Sequence, residues 1–194
     1  PHPMPDTVSL VPSPRKAALR AEALARRDAL ELDDRLLWDE AIVARVLTLP
    51  VFTQGPVSAY WPMRSEADPR PILEALHARG LPLCLPAIVR KSMHFRRWAP
   101  WEPIVPGGFG TLVPAPEQPE IKPAILIVPL AAFDRRGYRI GYGKGYYDRA
   151  ITELEPVATV GIAYAAQEIV EVPAEAHDRR LDWVVTQDET IRCG

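Results

Sequence analysis

A short apolar run, Ile125 to Val128, leads within a dozen residues into GYGKGYYDR at 141–149, and nothing else in the chain constrains it as much. The run has the length of a strand buried on both faces. Gly141, Gly143 and Gly145 alternate, Lys144 sits between the last two, and helical sequence follows. Strand, glycine-rich turn and helix is how a backbone presents several N–H groups to a phosphate. A Cβ would block the close approach and disfavour the positive φ angles such a loop uses. Lys144 adds a mobile cation for phosphate oxygens. Asp148 stands one turn further on, where a carboxylate can hold a magnesium ion. A tight turn with a surface lysine would explain a lone G-x-G, but not this density of glycine, lysine, tyrosine and aspartate. The string is not a Walker A loop, because Lys144 is followed by glycine rather than serine or threonine. Nor is it a dinucleotide fingerprint, because its third glycine comes one residue early.

Around this segment the pattern alternates between helix and strand. Ser13, ahead of Pro-Arg-Lys, is placed to cap a helix running to about Leu30. A second helix is expected over about Asp33–Thr48, with Leu36, Leu37, Ile42, Val43 and Leu47 apolar. Strands are expected over Val57–Trp61, Leu83–Ala87, Met93–Trp98, Ile125–Leu130, Ala158–Ala163 and Trp183–Thr186. Helices are expected over Pro71–Arg79, stopped by Gly80, and over Gly145–Leu154. Helices between strands imply an α/β fold with a largely parallel sheet covered on both faces. The strands read as continuous apolar runs, which fits burial on both sides. Ligands of such sheets bind at the carboxyl ends of the strands. The Gly141 loop and the Pro62–Glu66 loop both follow strands, so both can reach one crevice.

With 194 residues and a formal charge of −2, one domain is the default reading, 13–194, behind a disordered or tag-derived tail over 1–12. Near-neutral charge argues against non-specific nucleic-acid binding. No apolar run approaches the roughly 20 residues that span a bilayer. Cys84 and Cys193 form no C-x-x-C and point to a reducing compartment, with cytoplasm the expectation. The 22 prolines cluster in 100–123, which predicts a long irregular connection. Trp98, Trp101 and Phe109 there suggest an ordered loop walling a site. The four histidines show no zinc spacing.

The GYGKGYYDR string, preceded by FDRRGYRI, resembles the 5-formyltetrahydrofolate cyclo-ligase (5,10-methenyltetrahydrofolate synthetase) family. KAALR at Lys16–Arg20, YWPMRSE at Tyr60–Glu66 and HDRRLDWVVT from His177 carry the same resemblance, in the family's order. The chain departs from the family at Ala115-Pro116, where glutamate-proline is common. The resemblance implies a three-layer α/β/α sandwich and an ATP- and Mg2+-dependent ring closure of 5-formyltetrahydrofolate by a monomer.

Each candidate residue also has an ordinary reading. Lys16 and Arg20, four apart, share one helix face that would by itself be a solvated basic face. The resemblance places both on ATP phosphates, together with Arg139, Ile140, Gly141, Tyr142, Gly143, Lys144, Gly145, Tyr146 and Tyr147, with Lys144 and Arg139 also catalytic. Arg15 is expected in solvent. Glu66 would be a surface carboxylate; the resemblance puts it on the folate, whose pterin edge offers paired donors. Trp61, Phe109 and Tyr147 join it as folate contacts, although core packing explains Trp61 equally well. The position of Tyr142 varies within the family, so its side chain is not essential to the chemistry. Tyr146 and Tyr147 point about 100° apart on a helix, so one is expected to pack inward. Asp134, opening FDRRG, reads as a turn residue. Asp148 and Asp178 are the implied magnesium ligands. Two rivals remain: a binder that keeps the nucleotide loop without turnover, and a sugar-phosphate isomerase on a similar sandwich that needs no ATP.

Overall fold

The computed structural model describes residues 13–194, and the tail expected over 1–12 lies outside them. In chain order the elements are α1 (Pro14–Asp28), α2 (Leu32–Val46), β1 (Val57–Ser58), α3 (Arg70–Ala78), β2 (Leu83–Val89), β3 (Ser92–Trp98), β4 (Ile104–Pro106), β5 (Leu112–Pro114), β6 (Ile125–Val128), β7 (Ala132–Phe133), β8 (Arg139–Ile140), α4 (Tyr146–Leu154), β9 (Ala158–Ile162), β10 (Trp183–Val185) and β11 (Thr190–Arg192). Seven strands form one sheet in the order β11-β10-β9-β6-β1-β2-β3, with β6 at its centre. The five inner strands are parallel. The edge strands β3 and β11 pair antiparallel with their neighbours.

The alternation of side chains along β6 makes the layers. Ile125 and Ile127 pack with Ile42 and Val46 of α2 and Ile72, Leu73 and Leu76 of α3. Leu126 and Val128 point the other way, onto Ala150, Ile151 and Leu154 of α4. The fold is therefore the expected three-layer α/β/α sandwich. Fully buried side chains such as Leu126 and Ile127 each contribute roughly 1.5–3 kcal/mol relative to exposure. Helix α1 stands apart from both layers. It lies beside the segments that leave the carboxyl ends of β6 and β9, burying Ala23 against Ala132, Ile140 and Val172.

Several local expectations are corrected. Ser13 is the N-cap residue of α1, but its side chain makes no capping hydrogen bond. Proline at the first helical position supplies the start instead, because its missing N–H costs nothing there. In α2 the buried stripe runs through Ile42 and Val46, while Leu36 and Leu37 are exposed. The helix phase set by Ile42 and Val46 turns those two leucines outward. Strand β1 keeps only Val57 and Ser58 in the ladder. The Pro-rich stretch is not irregular throughout: β4 and β5 form a hairpin whose turn is closed by Gly107 N–H donating to Thr111 O at 2.8 Å. Pro106 and Pro114 each end a strand, where the missing donor is tolerated. Beyond the hairpin, Arg97 N–H donates to Pro119 O and Ile121 N–H to Phe95 O, both at 2.9 Å, so the stretch covers the edge of β3. Trp98 is buried, whereas Trp101 and Phe109 are exposed, Trp101 with its ring edge-on to His77 at 4.8 Å. No described helix is long and apolar enough to cross a membrane.

Candidate active site

The glycine loop joins β8 to α4. Gly143 and Gly145 have φ of +91° and +68°, which side-chain-bearing residues adopt only with strain. Gly145 is the N-cap residue of α4. Gly141 is needed for another reason: a Cβ there would lie 2.7 Å from Arg139 Nη1. Lys144 is exposed at the crest of the loop and forms no ion pair among the described residues. Arg139 is almost fully buried. Its guanidinium lies 5.5 Å from the centre of the Tyr147 ring, and its Nη2 is 3.9 Å from Asp148 Oδ1. Its buried Nε–H has no partner among the described residues, and a buried donor of that kind calls for a water or a ligand. Ile140 turns its side chain into the small core beneath α1, and its carbonyl accepts from Ala131 N–H at 2.8 Å.

Helix α1 lays one face along this loop. Arg20 Nε–H donates to Gly141 O at 2.6 Å. Burial lowers the pKa of Arg20 from its usual value. Lys16 does not stand free: its Nζ is 2.5 Å from Asp178 Oδ2 and 3.5 Å from Glu175 Oε1. Arg15 is exposed, as expected. Arg27 was not singled out by sequence reasoning. It is 3% exposed and donates from Nε to Ser65 Oγ and from Nη1 to Tyr142 Oη, each at 2.9 Å. Residues 16, 20, 23 and 27 fall on one helical stripe, which puts Arg27 on the face of Lys16 and Arg20.

The loop after β1 meets the same place. Glu66 Oε1 accepts from Met63 N–H at 3.1 Å. Burial pushes the Glu66 carboxyl up to about 7, against the opposing effects of Arg27, the Met63 N–H and the Tyr142 hydroxyl. Tyr60, buried beside this loop, donates its hydroxyl to Ala67 O. Trp61 is occupied elsewhere: it meets Trp98 edge-on at 5.9 Å and lies under the Arg70 guanidinium at 5.3 Å. Tyr147 is the tyrosine that packs inward, and burial raises its pKa. Tyr146 lies under Arg149, 5.1 Å away.

Asp148, in the first turn of α4, accepts from Arg179 N–H at 3.2 Å, so it reaches the residue next to Asp178. Asp178 also accepts from Glu175 N–H at 2.8 Å. These two carboxylates are hard-oxygen donors of the kind magnesium takes, with Asp178 Oδ2 engaged by Lys16 and the Glu175 N–H in this structure. Among the described residues no group of three or more His, Cys, Asp or Glu side chains gathers around one point. Both cysteines are free, Cys84 buried and Cys193 partly so. Lys16, Arg20, the glycine loop, Glu66 and the Asp148–Asp178 segment thus form one continuous region, with Trp61 and Phe109 turned to other neighbours or to solvent.

Comparison with known proteins identifies the family. The family model for the 5-formyltetrahydrofolate cyclo-ligase family matches residues 12–187. The 5-formyltetrahydrofolate cyclo-ligase of Escherichia coli (strain K12) is 29% identical over 171 residues, which cover 83% of this chain and 94% of that protein. The one from Mycolicibacterium smegmatis is 30% identical over 145 residues, 70% of this chain and 75% of its own. The NMR structure of Aquifex aeolicus 5,10-methenyltetrahydrofolate synthetase superimposes with a TM-score of 0.80 at 30% identity, covering 92% of each chain. The 5,10-methenyltetrahydrofolate synthetase from Mycoplasma pneumoniae, at 23% identity, shares the fold with a TM-score of 0.73 over 89% of this chain and 98% of that one. With the basic face of α1, the Glu66 loop and the glycine loop all inside the matched span, the chain belongs to the 5-formyltetrahydrofolate cyclo-ligase family.

Proposed function

We infer that this chain catalyses the ATP- and magnesium-dependent cyclisation of 5-formyltetrahydrofolate to 5,10-methenyltetrahydrofolate, releasing ADP and phosphate. One observation supports this reading above the others. Arg20 holds the glycine loop at Gly141 while Arg27 holds Tyr142 of the same loop beside Glu66. A nucleotide on the loop and a folate on Glu66 would therefore be neighbours.

The formyl oxygen is a poor leaving group. Transfer of the γ-phosphoryl group onto it makes a good one, with ADP leaving. N10 then attacks the formyl carbon, the ring closes, and phosphate departs with the oxygen. The protein's part is positioning and neutralisation of charge. The loop amides and Lys144 face the phosphates. Arg20 fixes the loop backbone. Arg139, buried below, steadies Tyr147 and lies within reach of Asp148. Lys16 and Asp178 neutralise each other in this structure. Phosphate and a cation arriving together offer each a replacement partner. Asp148 and Asp178 would hold the magnesium ion, which when bound offsets the phosphate charge. Hydrolysis by a Ser/His/Asp or Cys/His arrangement has no anchor in this region.

Mixing the protein with MgATP and 5-formyltetrahydrofolate should raise the methenyl-folate absorbance band, and omission of either substrate should abolish the rise. ATP binding without that band would favour the non-catalytic binder. Band formation without ATP would favour a chemistry that does not need phosphoryl transfer.

Glu66 gives a pH prediction. Its folded pKa of about 7 lies above its ordinary value of 4.5. The folded state then holds the proton longer than the unfolded chain. The associated stability is present in full below pH 4.5 and is lost as pH rises through about 7. Folate affinity moves the opposite way, because the charged carboxylate is the form that accepts the pterin donors. Titrations across this range should show folate binding strengthening through neutrality in the wild type. In Glu66→Gln the affinity should be weaker and flat with pH, with nucleotide affinity unchanged. A Gln variant that keeps the wild-type pH profile removes Glu66 from folate recognition.

A further inference from the structure

Arg27 is buried in the last turn of α1, where a guanidinium is costly unless its donors are used and a counter-charge is near. Its donors reach hydroxyls on two separate loops, Ser65 Oγ and Tyr142 Oη. The Ser65 hydroxyl donates onward to Asp28 Oδ1. Ser65 is the chain neighbour of Glu66, and both Arg27 and Tyr142 favour the charged form of that carboxylate. Arg27 therefore touches the Glu66 loop, the phosphate loop and, through Ser65, its own helix. Stability alone does not call for this arrangement, since an apolar side chain of similar volume would fill the space without a desolvation cost. From α1, the phosphate loop is held at Gly141 by Arg20 and at Tyr142 by Arg27.

We propose that Arg27 and Tyr142 couple the two substrate sites. A nucleotide that orders the Gly141–Gly145 loop fixes the Tyr142 hydroxyl on Arg27 and, through both, sets the Glu66 carboxylate for folate. The proposal rests on the reading of the loop as the nucleotide site and Glu66 as a folate ligand. Both residues are positioning residues and touch no reacting atom. The ordering cost of the shared network falls on whichever ligand binds first, so the second binds more tightly. Linkage requires the effect to be the same in both directions.

The test is the dissociation constant of 5-formyltetrahydrofolate with and without a saturating magnesium complex of a non-hydrolysable ATP analogue, and the reverse titration. In the wild type the analogue should tighten folate binding by about tenfold, and folate should tighten the analogue equally. In Tyr142→Phe the ratio should fall below about twofold. Arg27→Lys should lose the ratio as well, because a single ammonium cannot reproduce the forked donors. Arg27→Lys disturbs a buried site and can fail to fold. Tyr142→Phe removes one hydroxyl from an exposed loop, so it decides the question by itself. An unchanged ratio in Tyr142→Phe overturns the coupling. Tight binding of both ligands to the wild type with no mutual effect overturns the coupling and leaves the assignment of the sites intact. Binding of neither ligand removes the assignment and the coupling together.

Discussion

Lys144→Ala is expected to lower turnover by about 10²- to 10³-fold, the usual cost of removing one group aimed at developing charge in a transition state. Its stability should stay within about 0.5 kcal/mol of the wild type, as for other exposed positions without buried partners. The separation of the two effects follows from the structure. Lys144 is exposed at the crest of the loop, between Gly143 and Gly145, and no ion pair within the described residues depends on it. Its flanking glycines keep the backbone shape, so the variant loop should remain intact. Rates from the methenyl band, set beside denaturant melts of the same two proteins, check both halves. Near-normal turnover would take Lys144 out of the mechanism. A large loss of stability would show that the loop is held by contacts not present in this structure.

Asp134→Ala should show the reverse pattern, costing about 3 kcal/mol of stability through the loss of buried hydrogen bonds. Asp134 is 1% exposed. Its Oδ1 accepts from Arg136 N–H at 2.9 Å, and its Oδ2 accepts from Val172 N–H at 2.8 Å and from Arg136 Nη2 at 2.7 Å. The same residue opens the turn that Gly137 closes by donating to Asp134 O at 3.1 Å. That turn joins β7 to β8, and β8 carries Arg139 toward the glycine loop. Alanine leaves the Val172 amide buried without an acceptor. A fall in the denaturant midpoint at unchanged slope is the expected result. A variant as stable as the wild type would mean that water or a backbone shift serves those donors. Asp134→Asn should recover part of the loss, since one amide oxygen can still accept.

The parts of this fold that could be read ahead of the structure are those where one physical signal acted alone. β6 and β10 are continuous apolar runs, as burial on both faces requires. α4 is announced by the glycines ahead of it, and the end of α3 by Gly80, whose φ is +84°. The FDRRG turn was legible because aspartate and glycine each have a local reason to be there. Elsewhere two signals competed. Prolines argued against strands in 100–123, yet Pro106 and Pro114 fall at strand ends, where the ladder makes no demand on them. Leu36 and Leu37 looked like core, but the phase of α2 is set by Ile42 and Val46. β11, only Thr190–Arg192, is too short to announce itself and exists because β10 offers it an edge. In the candidate site the glycine loop was visible because its chemistry is local. The Arg27 contacts were not, because an Arg-Arg pair near a helix end reads as solvent-facing. Only the distant partners, Ser65 and Tyr142, make one of the pair a buried residue.

Helix α1 has a consequence for the order in which the protein is made. Apart from the bonds of Arg27 and Asp28 to Ser65, its polar contacts with the rest of the molecule reach across the chain: Lys16 to Asp178, 162 residues apart; Arg20 to Gly141, 121 apart; Arg26 to Ala166, 140 apart; Arg27 to Tyr142, 115 apart. The contacts of α1 are thus completed only when the chain as far as Asp178 has emerged. Closing loops of that length is slow relative to local helix formation. The α/β layers can assemble around β6 while α1 waits as an exposed amphipathic segment. Until it docks, the glycine loop has neither Arg20 at Gly141 nor Arg27 at Tyr142. Shielding of α1 amides from deuterium during refolding should therefore keep time with the appearance of catalytic competence, trailing protection of the central strands.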